Sequence, residues 1–293
     1  MSSALLTNMD INNNVKEALQ RRLWLDILPD SSFYLLSSPL LILLLGSVLA
    51  LIFGVFKTDP NKPSYAAWYI SLFACFASSL CTLLNNYSTV KSFLGSGVLI
   101  DKITFLSFLV VSIGTLYTLL AASLTEIGKS LLRSEILSLI LLCSSGLMIM
   151  SCSGEFMSFF IGLEIASVSL YVIVGYQRKS YQALEGAMKY FLLGACAAAI
   201  MLMGAALIYL QIGTLRWSDF SLLNLSYSSP LALIGVVLLF SGLAFKLAIA
   251  PFHVWAADVY QGSHSHMTGY MASIVKLAEQ VTKPTMRSLN CMY

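Results

Sequence analysis

Apolar residues run in long blocks separated by short polar loops. The blocks cover residues 39–56, 65–84, 100–123, 131–150, 156–176, 184–210, 231–255 and 268–281. A helix that spans a bilayer needs about 20 mostly apolar residues. Unpaired backbone groups are not tolerated in hydrocarbon, so blocks of this length predict helices. The last block is short and runs into the polar stretch EQVTKPTMRSLN, Glu279–Asn290. The pattern predicts an all-α polytopic membrane protein of about eight transmembrane helices. Residues 1–38 form an N-terminal extension, 39–130 the first three spans, 131–283 a unit of five helices, and 284–293 a polar tail. Within the extension, VKEALQRRLWLDIL (Val15–Leu28) reads as an amphipathic surface helix with Trp24 at the interface. Asp10, Glu17, Asp26 and Asp30 make the extension a poor mitochondrial presequence, and it lacks the apolar core of a signal peptide.

Charge in the loops predicts orientation. The loops after the first, third and fifth blocks hold Lys57 and Lys62, Lys129 and Arg133, and Arg178 and Lys179. The opposite loops hold Lys91 and Arg216, with Lys102 at a span boundary. Short loops rich in Lys and Arg stay on the cytoplasmic or matrix side, so the N-terminus is expected on the outer side. Lys16, Arg21 and Arg22 oppose this weakly.

Composition narrows the function. The chain is 58% hydrophobic and 11% charged, where soluble domains are about 25% charged. Mean hydropathy is +0.81. The net charge is +3 with no basic run, so no nucleic-acid partner is expected. The six cysteines show no metal spacing, and most sit in apolar blocks, so they read as small apolar residues. There is no iron–sulfur or haem motif and no Gly-rich phosphate loop, so no cofactor is expected in this chain.

The informative residues are charges at membrane depth. Each costs on the order of 3 kcal/mol to insert and is a functional candidate. Glu164 lies mid-span in FFIGLEIASVSLYVIVGY, and Lys246 mid-span in GLAFKLAIAPFHVW. Lys189 lies early in the sixth block, Lys276 within the last, and Glu135 near the start of the fourth. For Lys189, Glu135 and Lys276 the alternative is snorkelling to the interface. Glu164 and Lys246 are too deep for that. For them the alternative is a purely structural pair in which each charge offsets the other's desolvation. Lysine in apolar surroundings loses proton affinity and a nearby carboxylate restores it. Arginine stays protonated. Three buried lysines and no buried arginine therefore favour proton handling. Pro251 removes a backbone donor about a turn beyond Lys246, which predicts a helix break of the kind that builds hydrated mid-membrane sites. His253 follows, either as a relay or as a structural hydrogen-bonding residue.

Three stretches carry a family resemblance: SGEFMSFFIGLEIASVSLYVIVGYQR (Ser153–Arg178), SYQALEGAMKYFLLGACAAAI (Ser180–Ile200) and GLAFKLAIAPFHVWAADVYQG (Gly242–Gly262). In that order they resemble the antiporter-like subunits of respiratory complex I, most closely the subunit-2 branch. The resemblance covers residues 131–276 well and the first three spans loosely. It implies that residues 131–283 form the first of two inverted repeats. It also implies that Glu164 and Lys246 are the fifth-helix glutamate and seventh-helix lysine of a proton path, with Lys246 on a broken helix. Lys189 and Lys276 would be the sixth- and eighth-helix lysines. FMN, iron–sulfur clusters and quinone are then expected in other subunits, and the other membrane-arm subunits and membrane lipids are expected partners. Small residues such as Gly194, Ala198, Gly204 and Ala205 allow close helix packing. The family has about fourteen helices, so a second polypeptide supplying the later ones is expected. His264 and His266 stand in GSHSHM where the family usually has prolines, and read as loop substitutions. The expected activity is proton translocation in NADH:ubiquinone oxidoreductase, as a non-redox subunit. The alternatives are a cation/proton antiporter or membrane-bound hydrogenase subunit, or a structural half-module that does not pump. The expected location is the mitochondrial inner membrane, with a bacterial plasma membrane as the alternative.

Overall fold

The protein, seen in a computed structural model, is described over residues 31–56, 64–85, 91–93, 97–125, 128–177, 180–222 and 230–281. The expected surface helix at 15–28, the polar tail, and Lys57, Lys62, Arg178 and Lys179 lie outside the described residues.

The helices follow the apolar blocks. They are α1 (Ser31–Val55), α2 (Tyr65–Leu84), α3 (Lys102–Leu124), α4 (Ser134–Ser151), α5 (Phe156–Val174), α6 (Tyr181–Ile212) and α7 (Pro230–Lys246). After a break come α8 (Val254–Gly262) and α9 (Ser265–Tyr270). A π-turn (Met271–Val275) then leads into α10 (Lys276–Val281). Among the described residues, α1 to α6 supply the six helices long and apolar enough to span a membrane, and α7 is a shorter apolar helix. The expectation of about eight spans therefore reduces to six clear ones, with α7 and the α9–α10 segment in the place of the last two. The seventh block is not one helix, because it stops at Lys246 and resumes at Val254.

Two local differences from the sequence reading have physical causes. The first helix does not begin at Pro39 but runs through it from Ser31, so the boundary drawn after residue 38 falls inside a helix. Proline leaves the carbonyl four residues back without its helical donor. Here that carbonyl is Leu35 O, which accepts from Asn85 Nδ2 at 2.8 Å and Ser38 Oγ at 2.7 Å. Side chains thus supply the missing donor and the helix continues. The second difference is a small antiparallel hairpin between α2 and α3. Its strands β1 (Lys91–Phe93) and β2 (Val98–Ile100) pair with Ser92 opposite Leu99. Strands this short leave no periodicity to read.

The loops gather on two opposite faces, as alternating spans require. On one face Ser64 N donates to Leu132 O at 2.7 Å, Arg133 Nη1 to the Tyr176 hydroxyl at 3.0 Å, and Thr125 Oγ1 meets His266 Nε2 at 2.7 Å. On the other, Leu99 N donates to Cys152 O at 2.7 Å and Phe156 N to Leu215 O at 2.9 Å, and the backbones of Glu155 and Arg216 form an isolated antiparallel β-bridge. Among the described residues, the ends of the odd loops thus share one face, with Arg133 on it. His266 ties the start of α9 to the end of α3, and its ring stacks on His264 with 5.7 Å between centroids.

Helix α4 is the central post. Ile136, Leu141, Cys143, Met148 and Met150 along it are fully buried. The outer helices present apolar residues to the surroundings, including Phe73, Tyr117, Met203 and Val237. Helix α5 lies directly on α4, and α6 packs along α5, α7 and α8. That arrangement brings the charged residues Glu164 of α5, Lys246 of α7 and Lys276 of α10 toward one interior region.

Candidate functional site

The site is built on α5. Glu164, Ser167 and Tyr171 are spaced three and four residues apart, which places them on one helical face. That face receives Lys246, the last residue of α7. Lys246 Nζ donates to Glu164 Oε1 at 2.9 Å, Ser167 Oγ at 3.2 Å and the Tyr171 hydroxyl at 3.2 Å. An ammonium has three donors, and all three are used. The Ser167 hydroxyl gives its own proton to Leu163 O at 2.8 Å, which leaves its lone pairs for the lysine. Side-chain exposure is 5% for Lys246 and 26% for Glu164, so the amine is the buried partner.

Why α7 stops at Lys246 follows from its terminal carbonyls. Ala248 takes a left-handed conformation, φ +52°. Its N–H bonds Phe245 O at 3.0 Å, and Ile249 N bonds Ala244 O at 2.9 Å. This is the paired closure of a Schellman cap. Leu247 N closes on Leu243 O at 3.0 Å, and Trp255 Nε1 donates to Phe245 O at 3.1 Å. The remaining terminal carbonyl, that of Lys246, accepts from Lys276 Nζ. A cation at a helix C-terminus is favoured by the helix dipole, so Lys276 completes the cap. Pro251 lies in the exposed turn that follows. Only glycine adopts positive φ without penalty. Ala248→Val is therefore expected to lower stability by roughly 1–2 kcal/mol, read as a reduced Tm of the purified protein. An unchanged Tm would contradict the strain argument.

Lys276 also pairs with Glu279 Oε2 at 3.1 Å, one turn along α10. The two side chains are 18% and 13% exposed. The π-turn immediately precedes Lys276, and such turns occur often where a helix is adapted to a site. Aromatic rings connect the two pairs. Tyr171 meets Tyr190 edge-on at 4.6 Å, Tyr190 stacks on Trp255 at 4.7 Å, and Lys276 Nζ lies 5.7 Å from the Trp255 ring centre. A cavity of about 10 Å³ lies between, lined by Ser167, Tyr190, Lys246 and Glu279 among others. That is about the space one water needs.

The structure thus brings Glu164, Lys246 and Lys276 together and leaves two predicted residues apart. Lys189 pairs with Glu185 Oε1 at 2.8 Å and Asp258 Oδ2 at 2.7 Å, with all three side chains more than 40% exposed. Its link to the site is indirect, through the neighbouring Tyr190. His253 is exposed on the turn before α8 and makes no side-chain hydrogen bond to the described residues. Glu135 sits in the first turn of α4, where its Oε2 accepts from the Tyr176 hydroxyl at 3.2 Å. The sequence reading passes over Ser167, Tyr171, Trp255 and Glu279. The spacing from Glu164 marks the first two; nothing local marks Trp255.

A family model described as NADH:quinone oxidoreductase/Mrp antiporter, TM, matches residues 153–283, the segment that carries all of these groups. Residues 153–283 thus match this antiporter-like family of membrane subunits. Within it, the NADH-quinone oxidoreductase subunit N of Leptospira biflexa serovar Patoc is 37% identical over 258 residues, covering 85% of this chain and 52% of the relative. A chain in the structure of respiratory complex I from Thermus thermophilus with bound aureothin is 31% identical, with a TM-score of 0.69. That match covers 83% of this chain and 52% of the other. A chain of the Mrp complex from a Dietzia species shares the fold at 20% identity and a TM-score of 0.58, over 83% of this chain and 46% of the other. The chain spans about half the length of the curated relatives it matches.

Proposed function

We propose that this chain is a proton-translocating, non-redox membrane subunit of an NADH:quinone oxidoreductase, and that Glu164 and Lys246 form the switching pair of its proton path. The observation that carries this is the amine of Lys246, buried at a helix break and held by one carboxylate and two hydroxyls. With Glu164 close, the ammonium has its counter-charge. If Glu164 withdraws, a buried lysine sheds its proton to the nearest acceptor. The 26% exposure of the Glu164 side chain gives the carboxylate somewhere to go, while Ser167 and Tyr171 retain the amine. Lys276, bonded to the carbonyl of Lys246, is the next group along.

Relatives above 30% identity that are subunits of complex I or its quinone-linked bacterial form favour this reading over a cation antiporter. Likeness to the Mrp chain bears on the fold alone. Neighbouring helices would cover the apolar outer faces of α6 and α7, where Met203, Leu210, Ile234, Val237 and Phe240 are exposed. Other membrane-arm subunits are the proposed neighbours. The bacterial sources of the relatives support a plasma membrane over a mitochondrial inner membrane.

The test is Lys246→Met in the assembled oxidoreductase in sealed vesicles, counting protons moved per NADH oxidised. Normal assembly with a lowered ratio is expected. An unchanged ratio would overturn the proposal, loss of assembly alone would favour the structural half-module, and a sodium requirement would favour the antiporter class.

A further inference from the structure

Glu279 follows the apolar part of α10 and carries no role in the path outlined so far. Three observations single it out. Its carboxylate is 13% exposed, turned into the protein rather than toward the surroundings. It is ion-paired to Lys276 at 3.1 Å, as Glu164 is to Lys246 at 2.9 Å. It also lines the same small cavity as Lys246 and Ser167, although 33 residues separate it from Lys246. The order in space is therefore carboxylate, amine, cavity, carboxylate, amine: Glu164, Lys246, a space for about one water, Glu279, Lys276.

Two ammonium groups do not exchange a proton directly, because each is a donor with no lone pair. While Lys276 is charged, a proton leaving Lys246 therefore needs another acceptor. The Lys246 carbonyl that Lys276 touches cannot serve, since a peptide oxygen binds a proton far too weakly. We propose that Glu279 is the proton carrier between Lys246 and Lys276, an inference that rests on the proton-path reading above. In the first step an N–H bond of the Lys246 ammonium breaks and an O–H bond forms on the Glu279 carboxylate, through the water that fits the cavity. This leaves a neutral amine and a neutral carboxylic acid. In the second step, once Lys276 has given its own proton onward, the Glu279 O–H breaks and an N–H forms on the Lys276 amine. One proton has moved, both carboxylates are again ionised, and no oxidant or other reactant is consumed. Glu164 then draws the next proton onto Lys246. The alternation lets each carboxylate serve the amine beside it, and the net charge of the four groups never departs from zero by more than one.

The test uses the assembled oxidoreductase in sealed vesicles, with protons per NADH oxidised as the readout. Glu279→Gln is expected to assemble and to lower the ratio to the level of Lys246→Met, while Glu279→Asp, which keeps an ionisable group, restores most of it. A wild-type ratio in Glu279→Gln beside a lowered one in Lys246→Met overturns the Glu279 assignment and leaves the proton-path reading standing. Wild-type ratios in both overturn the two together. A second measurement needs no variant. A hydrophobic carbodiimide adds to a carboxylic acid in its protonated form. Glu279 in the wild-type complex is expected to be labelled during NADH oxidation, as found by peptide mass. A carboxylate held permanently in a structural ion pair stays unlabelled, and that result overturns the proposal even if Glu279→Gln fails to assemble.

Discussion

Replacing Glu164 with alanine is expected to destabilise the protein by about 3–5 kcal/mol, the usual cost of leaving one partner of a buried ion pair unpaired. Lys246 is 6% exposed and cannot reach solvent, so its ammonium would keep the Ser167 and Tyr171 hydroxyls and lose its counter-charge. Glu164→Gln keeps a hydrogen-bond acceptor without the charge and should fall between the two. The decisive variant is the double one. Glu164→Ala combined with Lys246→Met removes both charges, and in an apolar surround most of the lost stability should return, with transport absent. The Tm of the purified protein and the yield of assembled complex across the four-member cycle would give the coupling. If the double variant is as unstable as the sum of the singles, the pair is not coupled and the site description is wrong.

The residues in that cycle are legible in the sequence because hydrophobicity makes them conspicuous. A charge inside FFIGLEIASVSLYVIVGY or GLAFKLAIAPFHVW has no cheap explanation in lipid, and Pro251 announces a break in the seventh block. What hydrophobicity does not carry is direction. Lipid and protein interior are equally apolar, so a run such as α6 does not reveal which of its faces turns inward. For this reason Lys189, expected on the path, can sit at a half-exposed cluster with Glu185 and Asp258. For the same reason Tyr171 and Trp255 are indistinguishable by composition from residues that face lipid. Glu279 escapes notice for a different reason. It stands where the last apolar block gives way to polar residues, and reads as flank until the fold carries it back to the cavity beside Lys246. The unbroken first helix has a related origin: Asn85 donates to the Leu35 carbonyl that Pro39 leaves short, from 50 residues away, and pairing at that distance is invisible to any local window.

Gly162→Ala is the second large effect, and it tests how rigidly α5 holds its row of site residues. A Cβ at Gly162 would stand 2.5 Å from Met150 N, 2.8 Å from Gly146 O and 3.0 Å from Met150 Cα. All three are backbone atoms of α4, so no side chain can swing aside and the helices must separate. A Cβ at Gly146 would meet the same contact from the other side, 2.8 Å from Gly162 O. Overpacking of this kind costs typically 1–3 kcal/mol and sometimes more. Here it also shifts the helix that carries Glu164, Ser167 and Tyr171, so a lower Tm, a reduced yield of complex and a lower proton ratio are expected together. Gly194→Ala on α6 provides the contrast. Its Cβ would stand 2.2 Å from the Tyr171 hydroxyl, the far end of a side chain rather than backbone. The ring has to shift against Tyr190, which costs less than parting two backbones, and Lys246 then loses one of its three acceptors. A smaller loss of stability than in Gly162→Ala, with a reduced proton ratio matched by Tyr171→Phe, is the expected pattern. Were Gly162→Ala to assemble and melt like the wild type, the close approach of α4 and α5 would not be what positions the pair.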